Sequence, residues 1–169
     1  MINEMAGLLV VCGIGCDPER EVTLEVLAAL ASCGIRFAHL PARHRSWLAS
    51  RVGNLKAAKD AAAVVHAAKS RRVGLAVWGH ATITSEFARE VLNAASDAGV
   101  ETAVLASISP AGHGIGAAAR ALGWRPDEDD GWDALPAGEV PEGKRKRPLA
   151  VFDAEAGVVR LELPENNRA

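Results

Sequence analysis

Tyrosine is absent from this chain, phenylalanine occurs three times, and aromatic residues together make up 4% of the 169 positions. Its core must therefore be built from aliphatic and small side chains. Cysteine is scarce and odd in number: Cys12, Cys16 and Cys33 leave one thiol over in any pairing, and a domain of this length buries enough apolar surface to need no covalent staple. Cys12 and Cys33 fall in apolar segments, where a reduced cysteine behaves as a small hydrophobe, so a reducing cytoplasm is the expected location. Cys12 and Cys16 have the spacing of half a metal clip, but no second pair completes four ligands, and no metal is expected. A net charge of -2 provides no basic field for nucleic acid or an anionic membrane surface. The apolar run Ala6 to Cys12 is too short to span a bilayer, and no cation precedes it, so neither an anchor nor a signal peptide is expected.

What is present is an alternation of apolar runs with helical periodicity. Leu8 to Cys12 reads as a strand buried on both faces and ends in Gly13-Ile14-Gly15. Asp17 offers a helix N-cap, Pro18 fits the first helical position, and Val22, Leu24, Val26, Leu27 and Leu30 recur with helical spacing up to Gly34. Ile35 to Leu40 is a second strand, and the polar stretch Arg43 to Arg51 holds a short helix. Alanine-rich 54–70 reads as one helix. Val73 to Trp78 is a third strand, followed by a helix through Phe87, Val91, Leu92 and Ala95 that stops near Gly99. Val100 to Ala106 is a fourth strand, and Ser109-Pro110 starts a helix running to Leu122. This alternation predicts an open, mainly parallel α/β sheet with helices on both faces.

Beyond Trp124 the composition shifts. Residues 125–147 are rich in Pro, Gly and charge and read as a loop or mobile segment. Leu149 to Phe152 and Val158 to Leu163 read as two strands forming a hairpin at one edge of the sheet. The expected organisation is thus an α/β domain over 1–124, a connecting segment over 125–147, and C-terminal strands over 148–169 that pack on the same domain.

In open α/β sheets ligands bind outside the carboxyl ends of the strands, where loops converge and helix N-termini present free N–H groups. Three loops qualify: Gly13-Ile14-Gly15-Cys16-Asp17-Pro18, Gly79-His80-Ala81-Thr82, and Ala106-Ser107-Ile108-Ser109-Pro110 leading into Gly112-His113-Gly114. A dinucleotide site would need a third glycine in the first loop and a carboxylate after the second strand, where His39-Leu40-Pro41 stands instead. A phosphate loop would need Lys-Ser or Lys-Thr after its glycines, and none is present. His80 and His113 follow two sheet loops and are candidates for a general base or for metal ligands, set against the plainer reading of hydrogen-bonded turn residues. Asp17 reads first as a cap, and Trp78 as core rather than as a stacking surface for a ring.

Taken together, the three loops resemble the tetrapyrrole methylase family, which includes precorrin methylases, diphthine synthase and the borosin N-methyltransferases. Gly13 to Glu19, followed by Val22-Thr23-Leu24-Glu25-Val26-Leu27, is similar to the family's glycine-rich opening loop and Leu-Thr-x-x-Ala-Leu helix. Trp78-Gly79-His80-Ala81 is similar to its Gly-Asp-Pro or Gly-His-Pro turn, with Ala81 in place of proline. Val104 to Gly123 is similar to the Val-x-Pro-Gly-Ile-Ser segment and the helix after it, with Ala106-Ser107 in place of Pro-Gly. The resemblance covers roughly 7–124, the family's N-terminal domain; the borosin tyrosine cannot be carried over to a chain without tyrosine. It implies S-adenosylmethionine as cofactor, held near Gly13, Gly15, Asp17, Gly79, Thr82, Ile108 and Ser109. It further implies methyl transfer to a small-molecule or peptide acceptor, with a homo-oligomer partner or second subunit completing the site. The alternative is a catalytically silent, truncated module that senses a ligand or serves as an interaction subunit.

Overall fold

The computed structural model describes residues 7–82, 84–105, 107, 133–136, 138, 140, 149–153 and 158–162. Its main sheet contains β1 (Leu8–Gly13), β2 (Ile35–His39), β3 (Lys56–Ala57), β4 (Arg72–Val77) and β5 (Glu101–Leu105), in the order β3-β2-β4-β1-β5 with every pairing parallel. Between them run α1 (Pro18–Glu21), α2 (Leu24–Ala31), α3 (Ala42–Val52), α4 (Ala61–Ala68) and α5 (Glu86–Asp97).

The expected open α/β architecture is present. The chain travels one way along the sheet from β1 to β2 and the other way from β4 to β5, and crossovers of one hand then deliver their helices to opposite faces. The strand alternation matches this division. Val10, Cys12 and Ala76 pack with Val26 and Leu30 of α2 and Leu48 and Val52 of α3. Leu9, Val11, Val73, Leu75 and Val77 pack with Ala61, Val64 and Ala68 of α4 and Ala88, Val91 and Ala95 of α5. Gly74 lies on the α2 side, where an added β-carbon would stand 3.0 Å from Leu30 Cδ2 and 3.2 Å from Cys33 Sγ. Small residues in β4 thus allow the helices to sit close, which compensates for the shortage of aromatic bulk.

Three local readings need correction. The helix after the first loop is two helices: Val22 is extended, and Thr23 starts α2 by accepting the Val26 N–H at 3.2 Å. Alanine-rich 54–70 is not one helix either. Lys56 and Ala57 pair with Phe37 and Ala38 as edge strand β3, and α4 begins only after Asp60, whose carboxylate accepts the Ala62 and Ala63 N–H groups. Ladder pairing and an Asx cap outweigh intrinsic alanine propensity there. The third concerns the C-terminal strands. β7 (Leu149–Asp153) and β8 (Val158–Glu162) form the expected antiparallel hairpin, but β6 (Asp133–Pro136) pairs parallel to β7, giving a separate three-stranded sheet rather than an edge extension. β6 lies inside the segment read as a loop.

Leu75 is fully buried at the middle of the central strand β4. Leu75→Ala should lower the unfolding free energy by about 3 kcal/mol through lost burial and a residual cavity, measurable by urea denaturation.

Candidate functional site

The carboxyl ends of β1, β4 and β5 form a crest on which the candidate residues meet. Its first two loops are stitched together by main chain. The Gly15 N–H donates to the Gly79 carbonyl at 3.2 Å, and the Gly79 N–H returns the bond to Gly15 at 2.9 Å. Both glycines are in the left-handed region, with φ of 80° and 70°. Gly13 is required for another reason: its β-carbon would stand 2.6 Å from the Gly79 oxygen and 2.8 Å from the Ala81 nitrogen. Trp78 adds a side-chain tie, its Nε1–H donating to the Cys16 carbonyl at 3.3 Å in a buried setting. Trp78 is thus the core residue that the sequence suggested.

The first loop closes on a carboxylate from its own chain. Glu21 Oε2 accepts the Cys16 N–H at 2.7 Å and the Asp17 N–H at 3.0 Å. The space a Gly15 β-carbon would occupy lies 2.7 Å from Glu21 Cβ, so this glycine makes room for the internal carboxylate. Asp17 stands at the start of α1 but makes no side-chain cap bond. Its carbonyl receives the Arg20 and Glu21 N–H groups, and its carboxylate lies 3.6 Å from an exposed Arg20 guanidinium, a surface contact of little energetic weight. The expected Asp17 cap is replaced by Glu21 reaching back from one turn later, a function for which the sequence carries no capping-box spacing.

Burial pushes the Cys16 thiol strongly up, and the neighbouring Glu21 and Asp17 charges add to the effect. Burial likewise raises Cys12 to about 12, with Cys33 and Glu25 adding to the shift and Arg72 opposing it. These are protonated, inert thiols. Among the described residues no group of three His, Cys, Asp or Glu side chains is placed to hold a metal ion.

The second loop is pinned around Thr84. Thr84 Oγ1 accepts the His80 N–H at 3.0 Å and donates to the His80 carbonyl at 3.1 Å, and the Thr84 N–H reaches that carbonyl at 3.2 Å. Thr82 is exposed and turned to His80: its N–H lies 3.3 Å, and its hydroxyl 3.2 Å, from His80 Nδ1. Beyond β5 stands Ser107. Its hydroxyl is shielded from solvent, has no hydrogen-bond partner among the described residues, and lies 3.4 Å from the Gly15 β-carbon position. The sequence pattern marks Ser109, which precedes Pro110 and matches the Ile-Ser of the resembled segment, and gives Ser107 no such mark. Ile108, Ser109 and His113 lie outside the described residues. Gly13, Gly15, Asp17, Gly79, His80 and Thr82 are brought together at the ends of β1 and β4, with Glu21, Thr84 and Ser107 as additions. His39 lies elsewhere, stacked on Phe87 with ring centroids 4.3 Å apart.

A parallel sheet of this order, with polar groups gathered where β1, β4 and β5 end, defines an α/β domain of the kind that takes a small ligand at its crest. Solved structures share this fold, two of them bearing names of the kind that the resemblance of the three loops implies. The chain superposes on uroporphyrin-III-C-methyltransferase from Thermus thermophilus with a TM-score of 0.62 and 20% identity, covering 86% of this chain and 67% of that one. Against diphthine synthase the values are 0.61 and 14%, covering 86% and 63%. A conserved hypothetical protein from Aeropyrum pernix K1 gives 0.64 and 17%, covering 92% and 61%. The chain therefore spans about two thirds or slightly less of the length of these structures, and identities this low speak to fold alone. No family model and no curated protein matches the sequence.

Glu21→Ala should leave the Cys16 and Asp17 N–H groups without their acceptor and cost about 2 kcal/mol of stability in urea denaturation, with Glu21→Gln costing less. The raised thiols predict an alkaline limb as well. Unfolded thiols lose their protons near the ordinary value of 9.0 while the folded ones keep theirs, so the folded state holds more protons above that point. Stability should fall as pH climbs from about 9 toward 12, and Cys12→Ser should flatten that limb.

Proposed function

We propose that this protein binds S-adenosylmethionine at the crest of β1, β4 and β5 and transfers its methyl group to a small-molecule or peptide acceptor. The observation that carries this reading is the Ser107 hydroxyl, shielded and without a hydrogen-bond partner among the described residues, beside a first loop whose own N–H groups are already engaged. A shielded hydroxyl without a partner is costly, and a ligand with complementary polar atoms relieves that cost. One of the solved structures that share the fold is by name a C-methyltransferase, which supports the reaction class.

The engaged first loop argues against a nucleotide held by its phosphates. The Cys16 and Asp17 N–H groups that would cradle a phosphate face the Glu21 carboxylate. When bound, S-adenosylmethionine would supply an electrophilic methyl group carried on a sulfonium. The chain's contribution is to align and to exclude water. Ser107 and the main chain around Gly79 bind the donor. Ser109 and Ile108 join them on the strength of the family resemblance.

A second reading is a ligand-sensing or interaction module that binds at the same crest without turnover. For either reading, a second copy of the chain completes the site. Leu24 and Val104, the large apolar side chains left exposed among the described residues, give such a contact apolar surface.

Calorimetric titration with S-adenosylmethionine and S-adenosylhomocysteine tests the proposal. Wild-type protein should bind both, and Ser107→Ala should bind about tenfold more weakly with its circular dichroism unchanged. A folded protein that binds neither overturns the proposal. Binding without methylated product in acceptor screens favours the silent module, and light scattering on the same sample should return the mass of a dimer.

A further inference from the structure

The two ring nitrogens of His80 are in different situations. Nδ1 receives the Thr82 N–H at 3.3 Å, with the Thr82 hydroxyl 3.2 Å away. A main-chain N–H can only donate, so Nδ1 is the nitrogen that carries the lone pair, and the proton of the neutral ring sits on Nε2. Among the described residues nothing pairs with Nε2. The main chain of the residue is fixed on both sides, its N–H and carbonyl each bonded to Thr84. Its Cα stands 3.2 Å from the Gly13 β-carbon position, which puts the residue at the junction of the loops after β1 and β4.

Apart from the Ser107 hydroxyl, the following donors at this junction are occupied. Gly15 and Gly79 satisfy each other, Ile14 donates to Val77, Cys16 and Asp17 donate to Glu21, and the Trp78 indole donates to Cys16. An N–H held in a fixed direction, on a half-buried ring, remains.

We propose that His80 is a specificity-determining residue that donates its Nε2–H to an acceptor oxygen of the bound methyl donor, and that it serves neither as a general base nor as a metal ligand. The inference rests on the reading that the methyl donor binds at this crest. A base needs a lone pair facing the ligand, and the one lone pair of the neutral ring is turned to Thr82. Moving the proton to Nδ1 would free Nε2 as an acceptor, but it would break the bond from the Thr82 amide. The Thr82 main chain and hydroxyl thus fix the tautomer, much as a carboxylate or carbonyl orients imidazole in metal sites, but with the opposite sense of hydrogen bonding.

Two measurements on the full chain test this. Long-range nitrogen–proton correlation spectra, with the His80 signals identified by their loss in His80→Gln, should show Nδ1 unprotonated and Nε2 protonated. The second is titration with S-adenosylhomocysteine of two variants that divide the ring's roles. Glutamine places its amide N–H near the Nε2 position and asparagine places its oxygen near Nδ1. His80→Gln should therefore bind within about threefold of wild type, and His80→Asn about tenfold more weakly, while both remain folded. The reverse order, Asn retained and Gln lost, assigns the ring to the turn alone and overturns the proposal, as does equal loss in both. If wild-type protein binds no S-adenosylhomocysteine, the methyl-donor reading fails, and with it this role for His80. A protonated Nδ1 in the spectra overturns the donor assignment by itself, whatever the titration returns.

Discussion

The reciprocal pair of hydrogen bonds between Gly15 and Gly79 is the constraint on which the crest depends. The two central strands β1 and β4 run parallel, and the loops after them would diverge toward their separate helices. Two positive-φ glycines turn the chains toward each other for one residue and exchange both main-chain bonds. A side chain at either position would strain the turn, and one at Gly13 would push the Gly79 carbonyl away. From this junction follow the positions of the Trp78 indole, the Thr84 brace around His80 and the entry into α1.

Glu21 gives that junction its electrostatic character. In many α/β domains the glycine loop after the first strand is left open, with N–H groups directed at a ligand's phosphate. Here the same groups face a carboxylate from the following turn, so the loop satisfies itself. A phosphate arriving there would meet a like charge instead of vacant donors. Among the described residues, what remains on offer there is hydroxyl and imidazole, groups that suit a ligand recognised by uncharged hydrogen bonds.

Much of this architecture was readable from residue order. The apolar runs at Leu8 to Cys12 and Val73 to Val77 are continuous because both faces of those strands are covered, and such runs announce a parallel sheet. The glycines at 13, 15 and 79 were legible as points of close approach, and the chain's own backbone and Glu21 stand close to where β-carbons at 13 and 15 would be. Other features had no local signal. β3 is two residues long and owes its existence to pairing with β2, so alanine propensity concealed it. β6 carries too little apolar pattern to stand out from the Pro- and Gly-rich stretch around it. Ser107 looks like any loop serine until the loop after β1 is seen beside it.

The strand order β3-β2-β4-β1-β5 also bears on how the chain is made. β1 and β2 are separated by the place of β4, so these two strands, which leave the ribosome before β4, have no bond to exchange with each other. Their common partner is residues 72–77, and until those emerge Leu8 to Cys12 has no strand beside it and Ile35 to Ala38 only the two-residue β3. Assembly must then proceed by insertion between two waiting strands rather than by zipping along the chain, a route of high contact order and slow closure. That interval, and not the finished molecule, is when this protein is most exposed to aggregation or to capture by chaperones.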